Sequence, residues 1–169
     1  MPVAGWGLKP VANFSAGSVI DVEWCVSDLA DHGGVYSYRF CADASITAKF
    51  IDPSYTPSDA EQHALERCFQ QGILSCSDVP GQSCPVHPDC KEGWGCMNAT
   101  SWFNCGPKDS GRCASRGVGR CETHKGPGSL LRDQVKLPNV LSNHTLLGFR
   151  WDCQDTPQLW VHCADVALV

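Results

Sequence analysis

The stretch Gly17-Ser18-Val19-Ile20-Asp21-Val22-Glu23-Trp24-Cys25-Val26 sends Ile20, Val22, Trp24 and Val26 to one side and Asp21 and Glu23 to the other. Side chains on a strand alternate with a period of two, so this stretch builds a strand with one apolar and one wet face. Such a strand belongs to a sheet that covers a core on one side. Working outward, Val35 to Cys41 is rich in Tyr and Phe and is entered through Gly33-Gly34, which reads as a second strand. Thr145 to Cys153 and Gln158 to Leu168 read as two more, on either side of Asp155-Thr156-Pro157. One helix interrupts them. Ser58 can cap it, Glu61 completes a capping box, and Ala60, Ala64, Leu65, Cys68 and Phe69 share a face before Gly72 stops it. Strand-rich ends with one short helix predict an all-β fold, an immunoglobulin-like or fibronectin-III-like sandwich.

The 169 residues are one domain's worth of chain. A net charge of -5, without clustered Lys or Arg, excludes a nucleic-acid partner. No apolar run approaches the roughly 18 residues that a membrane helix needs, so no membrane span is expected. The twelve cysteines form an even set with no Cys-x-x-Cys spacing, which favours a disulfide framework over a zinc ribbon. We expect at least five disulfides. The sequons at Asn13, Asn98 and Asn143 fit the same extracellular setting. No leader segment is visible at the amino end, so this secreted chain reads as a fragment. Residues 68 to 121 hold eight of the twelve cysteines and few apolar residues. Such a segment buries too little apolar surface to offset its chain entropy, and cross-links must hold it. The expected organisation is one domain over residues 1–169, with a long disulfide-rich loop insertion at about 72–129.

Two distant motifs carry chemistry. The first is Asp31-His32-Gly33-Gly34-Val35-Tyr36-Ser37-Tyr38-Arg39-Phe40-Cys41. The second is Phe149-Arg150-Trp151-Asp152-Cys153, followed by Gln158-Leu159-Trp160-Val161-His162-Cys163-Ala164-Asp165. By the residues alone, His32 is a turn histidine or a metal ligand, Gln158 a solvated strand-end amide or a site residue, and Trp160 a core tryptophan or a site residue. Arg150 is either a fixed charge near the site or the partner of Asp152 or Asp165. His162 has no assigned role, while His63, His124 and His144 read as surface residues. Trp94, Trp102, Phe103 and Tyr55 serve either a sugar-stacking surface or a small core.

Together the two motifs resemble the lytic polysaccharide monooxygenases, in the branch carrying a chitin-binding type-4 domain and found in fungi and algae. The likeness covers about Gly17–Cys41, the helix around Cys68-Phe69-Gln70-Gln71, and Leu130 to the end. It implies one copper ion, with His32 as a ligand through neutral imidazole, a donor that copper favours. It also implies that Gln158 lies beside the metal and can hold an oxygen species by hydrogen bonding, and that Trp160 takes the axial place. Trp160 departs from the tyrosine or phenylalanine usual there, being bulkier and without an oxygen to offer. The family's remaining copper nitrogens come from an amino-terminal histidine, whereas this chain opens Met1-Pro2-Val3-Ala4-Gly5, so the resemblance implies an N-terminally truncated enzyme.

The activity implied is copper-dependent oxidative cleavage of insoluble polysaccharide, of chitin or cellulose type, by a monomer. Two other readings stand beside it. One is a non-catalytic secreted carbohydrate-binding protein on the same scaffold; the other is a copper-binding or copper-transport protein. Disulfide connectivity is not fixed by sequence; the pairings expected from element placement are Cys41 with Cys68, tying strand end to helix, and Cys153 with Cys163, bridging the last two strands, each able to bring Cα atoms within ~4.4–6.8 Å.

Overall fold

The structure is a computed structural model, described here for residues 10–50, 52, 54–84, 103–105 and 113–169. Its strands form two sheets, as the all-β sandwich reading requires. In chain order the elements are β1 (Ala12–Phe14), β2 (Val19–Ser27), β3 (Gly34–Cys41), α1 (Ala44–Phe50), α2 (Asp59–Gln71) and β4 (Ile73–Leu74). There follow β5 (Phe103–Asn104), β6 (Gly119–Thr123), β7 (Gly126–Lys136), β8 (Ser142–Cys153) and β9 (Leu159–Leu168). The larger sheet runs β1-β9-β8-β3-β4, with β5 also on β3, and the smaller runs β2-β7-β6.

The alternation in β2 works as read. Val26 is buried, Ile20, Val22 and Trp24 pack against the core, and Asp21 and Glu23 face water. From β3, Tyr36, Tyr38 and Phe40 meet Leu131 and Val135 of β7 in that core. Trp24 lies with its ring centroid 4.8 Å from Tyr36 and 5.4 Å from Trp151. Phe103 is fully buried and stacks on Tyr36 at 5.6 Å, so of its two readings the core one holds. Trp94 and Trp102 lie outside the described residues.

A polar clamp crosses the core between the sheets. Tyr36 and Tyr38 both donate their hydroxyls to Asp133 Oδ2 of β7, at 2.8 and 3.0 Å. Arg116 donates to the other carboxylate oxygen at 3.1 Å and also to the Tyr36 hydroxyl. Burial, with the Asp133 charge beside them, pushes both phenols far above the usual tyrosine range, so they remain donors.

The expected helix is α2, with the capping box formed between Ser58 and Glu61. Of the expected apolar face, Phe69 is buried, Ala64, Leu65 and Cys68 are half-buried, and Ala60 is exposed. The structure adds α1, a second short helix that the single-helix reading missed. Its seven residues, with Thr47 its one buried side chain, carry too little periodic apolar signal. The expected insertion at about 72–129 is also less separate than it read. Its last part is β6 and the start of β7, strands of the smaller sheet, while β4 and β5 pair with β3.

Among the described residues four disulfides form: Cys25–Cys121, Cys41–Cys68, Cys76–Cys84 and Cys105–Cys113. Cys90 and Cys96 lie outside the described residues. Cys25–Cys121 passes over β7 at Gly128, where a Cβ would lie 3.0 Å from Cys25 Sγ. Cys41–Cys68 ties β3 to α2 as expected. The expected Cys153–Cys163 bridge does not form, and both cysteines are free. The register explains this: Cys163 lies opposite Gly148, five residues before Cys153 on β8, or about 17 Å along a strand. An odd offset also puts the two thiols on opposite faces of the sheet.

Candidate functional site

The turn before β3 is built around a carboxylate. Asp31 is buried, and its oxygens accept from the amides of Gly33 at 3.1 Å, Cys113 at 3.2 Å and Ala114 at 2.7 Å. That fixes the residue preceding His32 and ties its turn to the segment held by Cys105–Cys113. Gly33 and Gly34 then take φ of 59° and 109°, in the left-handed region where glycine alone is at ease. At Gly34 a Cβ would lie 2.0 Å from the Asp152 carbonyl, so the close approach of β3 to β8 needs glycine.

The pairing of β3 with β8 brings the second motif to this turn. Gly34 lies opposite Cys153, the last residue of β8. The Gly33 carbonyl accepts from the Trp151 indole at 2.9 Å, and the His32 carbonyl accepts from the Asp155 amide at 3.1 Å. The Gln158 carbonyl accepts from the Cys153 amide at 3.1 Å. His32 and Gln158 therefore flank one corner of the sheet. His32, Gln158, Trp160, His162, His124 and Trp151 line a single solvent-open cleft there.

Trp160 lies opposite Trp151 and His162 opposite Phe149, so all four side chains share the core-facing side of the larger sheet. Yet Trp160 is 41% exposed while Trp151 is 5% exposed. The core reading of Trp160 is thereby set aside. Half-buried His32 is neither a freely solvated turn residue nor a core histidine. At the end of β8, burial pushes the Cys153 thiol up, so it stands as a neutral thiol.

Arg150 belongs elsewhere. It holds Asp152 through Nε at 2.8 Å and Nη2 at 2.7 Å, and reaches Glu66 of α2 at 3.0 Å. Glu66 also holds Arg39 at 2.9 Å, so an ionic chain covers the outer face of the sheet. Of the two readings of Arg150, the ion pair with Asp152 holds. His144, read as exposed, is corrected: it is half-buried and lies 3.0 Å from buried Asp165. Sequence reasoning missed Asp31 as the organiser of the turn. It also missed His124 in the cleft, since a hairpin tip between β6 and β7 gives no sign of what it faces.

Copper can be weighed against these residues. His32 offers one nitrogen donor, and among the described residues no three of His, Cys, Asp or Glu gather closely enough to hold a metal ion. The described residues thus do not by themselves form a three-donor metal site.

No family model matches the chain. Two curated relatives are each named "AA13 family lytic polysaccharide monooxygenase A". The one from Pyricularia oryzae is 42% identical over 99% of this chain, covering 45% of its own length. The one from Aspergillus terreus is 39% identical over 99% of this chain, covering 43%. A third, lytic polysaccharide monooxygenase aasB of Emericella nidulans, is 42% identical over 97% of this chain, covering 52%. The chain thus spans about half the length of the curated relatives it matches. A solved structure of cellulose-active CelS2 (ScLPMO10C) with copper aligns to 93% of this chain and 52% of its own, at 14% identity and a TM-score of 0.39, too loose to carry residue correspondences. Over nearly its whole length the chain is a sequence relative of the AA13 lytic polysaccharide monooxygenases.

Proposed function

We propose that this domain carries part of a copper-dependent, secreted lytic polysaccharide monooxygenase. The observation that supports it best is the meeting of His32 and Gln158 at one corner, in a cleft also lined by Trp160. In this reading His32 is one copper ligand, held by the Asp31-organised turn, and the remaining donors come from outside the described residues. The bound metal would supply the redox chemistry that activates oxygen or peroxide. Gln158 would offer its amide for hydrogen bonding beside the metal, and Trp160 would wall the same cleft. The substrate is an insoluble polysaccharide, with chitin or cellulose the type expected from the motifs. Four described disulfides support export to an oxidising compartment. The acting form in this reading is a single chain.

The test uses the natural full-length protein with copper and ascorbate on insoluble chitin, cellulose and granular starch. Soluble oxidised oligosaccharides, lost with His32→Ala, support the reading. The incomplete donor set keeps a second reading in view, a carbohydrate-binding protein without catalysis. Retention on a polysaccharide without oxidised products favours that. Copper binding with no polysaccharide retention favours a metal-binding role.

A further inference from the structure

The exposed half of β9 is built like an interface. From Leu159 to Cys163 it pairs with β8 on one side, and β1 reaches it further on, at Val166–Leu168 and through the Val11 amide, which donates a hydrogen bond to the Asp165 carbonyl. Among the described residues, no strand lies on the other edge of Leu159–Cys163. An unpaired edge is a template for another strand, and proteins ordinarily blunt it with charge, proline or a bulge. Here Leu159, Trp160 and Val161 are instead 49%, 41% and 57% exposed.

Two further features point at this edge. Cys163 is an exposed free thiol, while all the other described cysteines except Cys153 are in disulfides. It lines a groove on the outer face with Val161, Leu65 and Phe69, and Arg39 lies in the same groove. The Arg39 side chain is 3% exposed, and its Nε has no hydrogen-bond partner. A buried donor without an acceptor costs about 1–3 kcal/mol, so the wall of this groove carries an unmet polar demand. Finally, about half the length of each relative lies beyond the part this chain matches.

We propose that the open edge of β9 seats an extended segment of the same natural polypeptide from outside these 169 residues. It adds a strand along Leu159–Cys163 and brings a cysteine into a disulfide with Cys163. In that step two thiols each lose a proton, one Sγ–Sγ bond forms, and the two electrons pass to a disulfide oxidant of the exporting compartment, whose own S–S bond breaks to a dithiol. The inference stands whether or not the protein cleaves polysaccharide.

Non-reducing peptide mapping of the natural exported protein tests it. The expected result is Cys163 joined to a cysteine outside residues 1–169, with Cys163→Ser leaving that cysteine alkylatable. Should Cys163→Ser fail to fold, hydrogen exchange on the unaltered protein reads the same edge, and the amides of Leu159–Cys163 should exchange at least tenfold more slowly than those of an open strand edge. A free Cys163 in the exported protein, a bridge to Cys153 or to a second copy, fast exchange along this edge, or a natural polypeptide consisting of these residues alone would each overturn the proposal.

Discussion

The Asp155 amide donates to the His32 carbonyl at 3.1 Å, joining the turn before β3 to the hairpin between β8 and β9. The His32 turn is thus tied by main chain to the hairpin that joins the two parts of the second motif, and the backbone at His32 is held relative to that at Gln158 without help from flexible side chains. Disturbing the corner from either motif should have the same effect.

Gly34→Ala tests the close approach. The added Cβ meets the Asp152 carbonyl at 2.0 Å with φ at 109°, so β3 must part from β8. We expect a loss of about 2–4 kcal/mol in chemical denaturation. Gly81→Ala is the control, since φ there is 82° but no atom lies within 4 Å. It should cost about 1–2 kcal/mol, from backbone strain alone.

Asp31→Ala removes the acceptor for three backbone amides. The expected cost is about 2–3 kcal/mol of stability. In the full-length protein copper affinity should also fall at least tenfold, about 1.4 kcal/mol, although residue 31 is not itself a proposed ligand. Calorimetric titration with Cu(II) reads this directly. Unchanged affinity would mean that the turn does not position His32.

His32→Ala should lower Cu(II) affinity of the full-length protein by tenfold or more. His124→Ala, in the same cleft, should leave it within about twofold, a difference of roughly 0.4 kcal/mol. The pair separates a ligand from a neighbouring imidazole.

The clamp between the sheets gives a graded series. Tyr38→Phe removes one donor to Asp133 and should cost about 1 kcal/mol. Asp133→Ala removes the shared acceptor of two phenol hydroxyls and the carboxylate partner of Arg116, and should cost about 3–5 kcal/mol. In a double-mutant cycle the two losses should fall short of additive, because they share one carboxylate.

Glu66 gives a pH dependence. Burial pushes its carboxyl up, but Gln70, Arg39 and Arg150 outweigh burial and hold it below the usual range. A depressed folded pKa adds stability that is fully present above the unfolded value near 4.3 and fades as pH falls through the folded value. Glu66→Gln should therefore melt below the unaltered protein at pH 7. The gap should narrow progressively below about pH 4.

Four of the nine described strands were legible, because their periodicity is local. Ile20 to Val26, Tyr36 to Cys41 and the capping box at Ser58 each carry their own signal within a few residues. The meeting of His32 with Gln158 was legible through chemistry rather than geometry, since each motif makes sense beside the other. What escaped were relationships fixed by register. Cys153 and Cys163 looked like a bridge between neighbouring strands, and the two strands are neighbours, but the pairing offsets the cysteines by five residues onto opposite faces. Asp133 gave no sign that it stands on the core face, because a lone carboxylate in an alternating strand reads as a solvent position. The shielding of Asp31 depends on Cys113 and Ala114, which adjacent sequence does not reveal.

The short disulfide loops also bear on how the molecule is reached from its unfolded chain. The corner that holds His32 forms when β3 meets β8, strands at opposite ends of the sequence, and closing so long a loop is the slow, entropically costly event in such topologies. Cys41–Cys68, which starts at the last residue of β3, and Cys76–Cys84 and Cys105–Cys113, which lie between the two strands, close stretches spanning 27, 8 and 8 positions. Each shortens the contour over which β3 must search for β8. The cysteine-rich middle of the chain is then a shortcut as well as a staple, and a reducing environment should slow assembly of the corner even where the finished sandwich survives it.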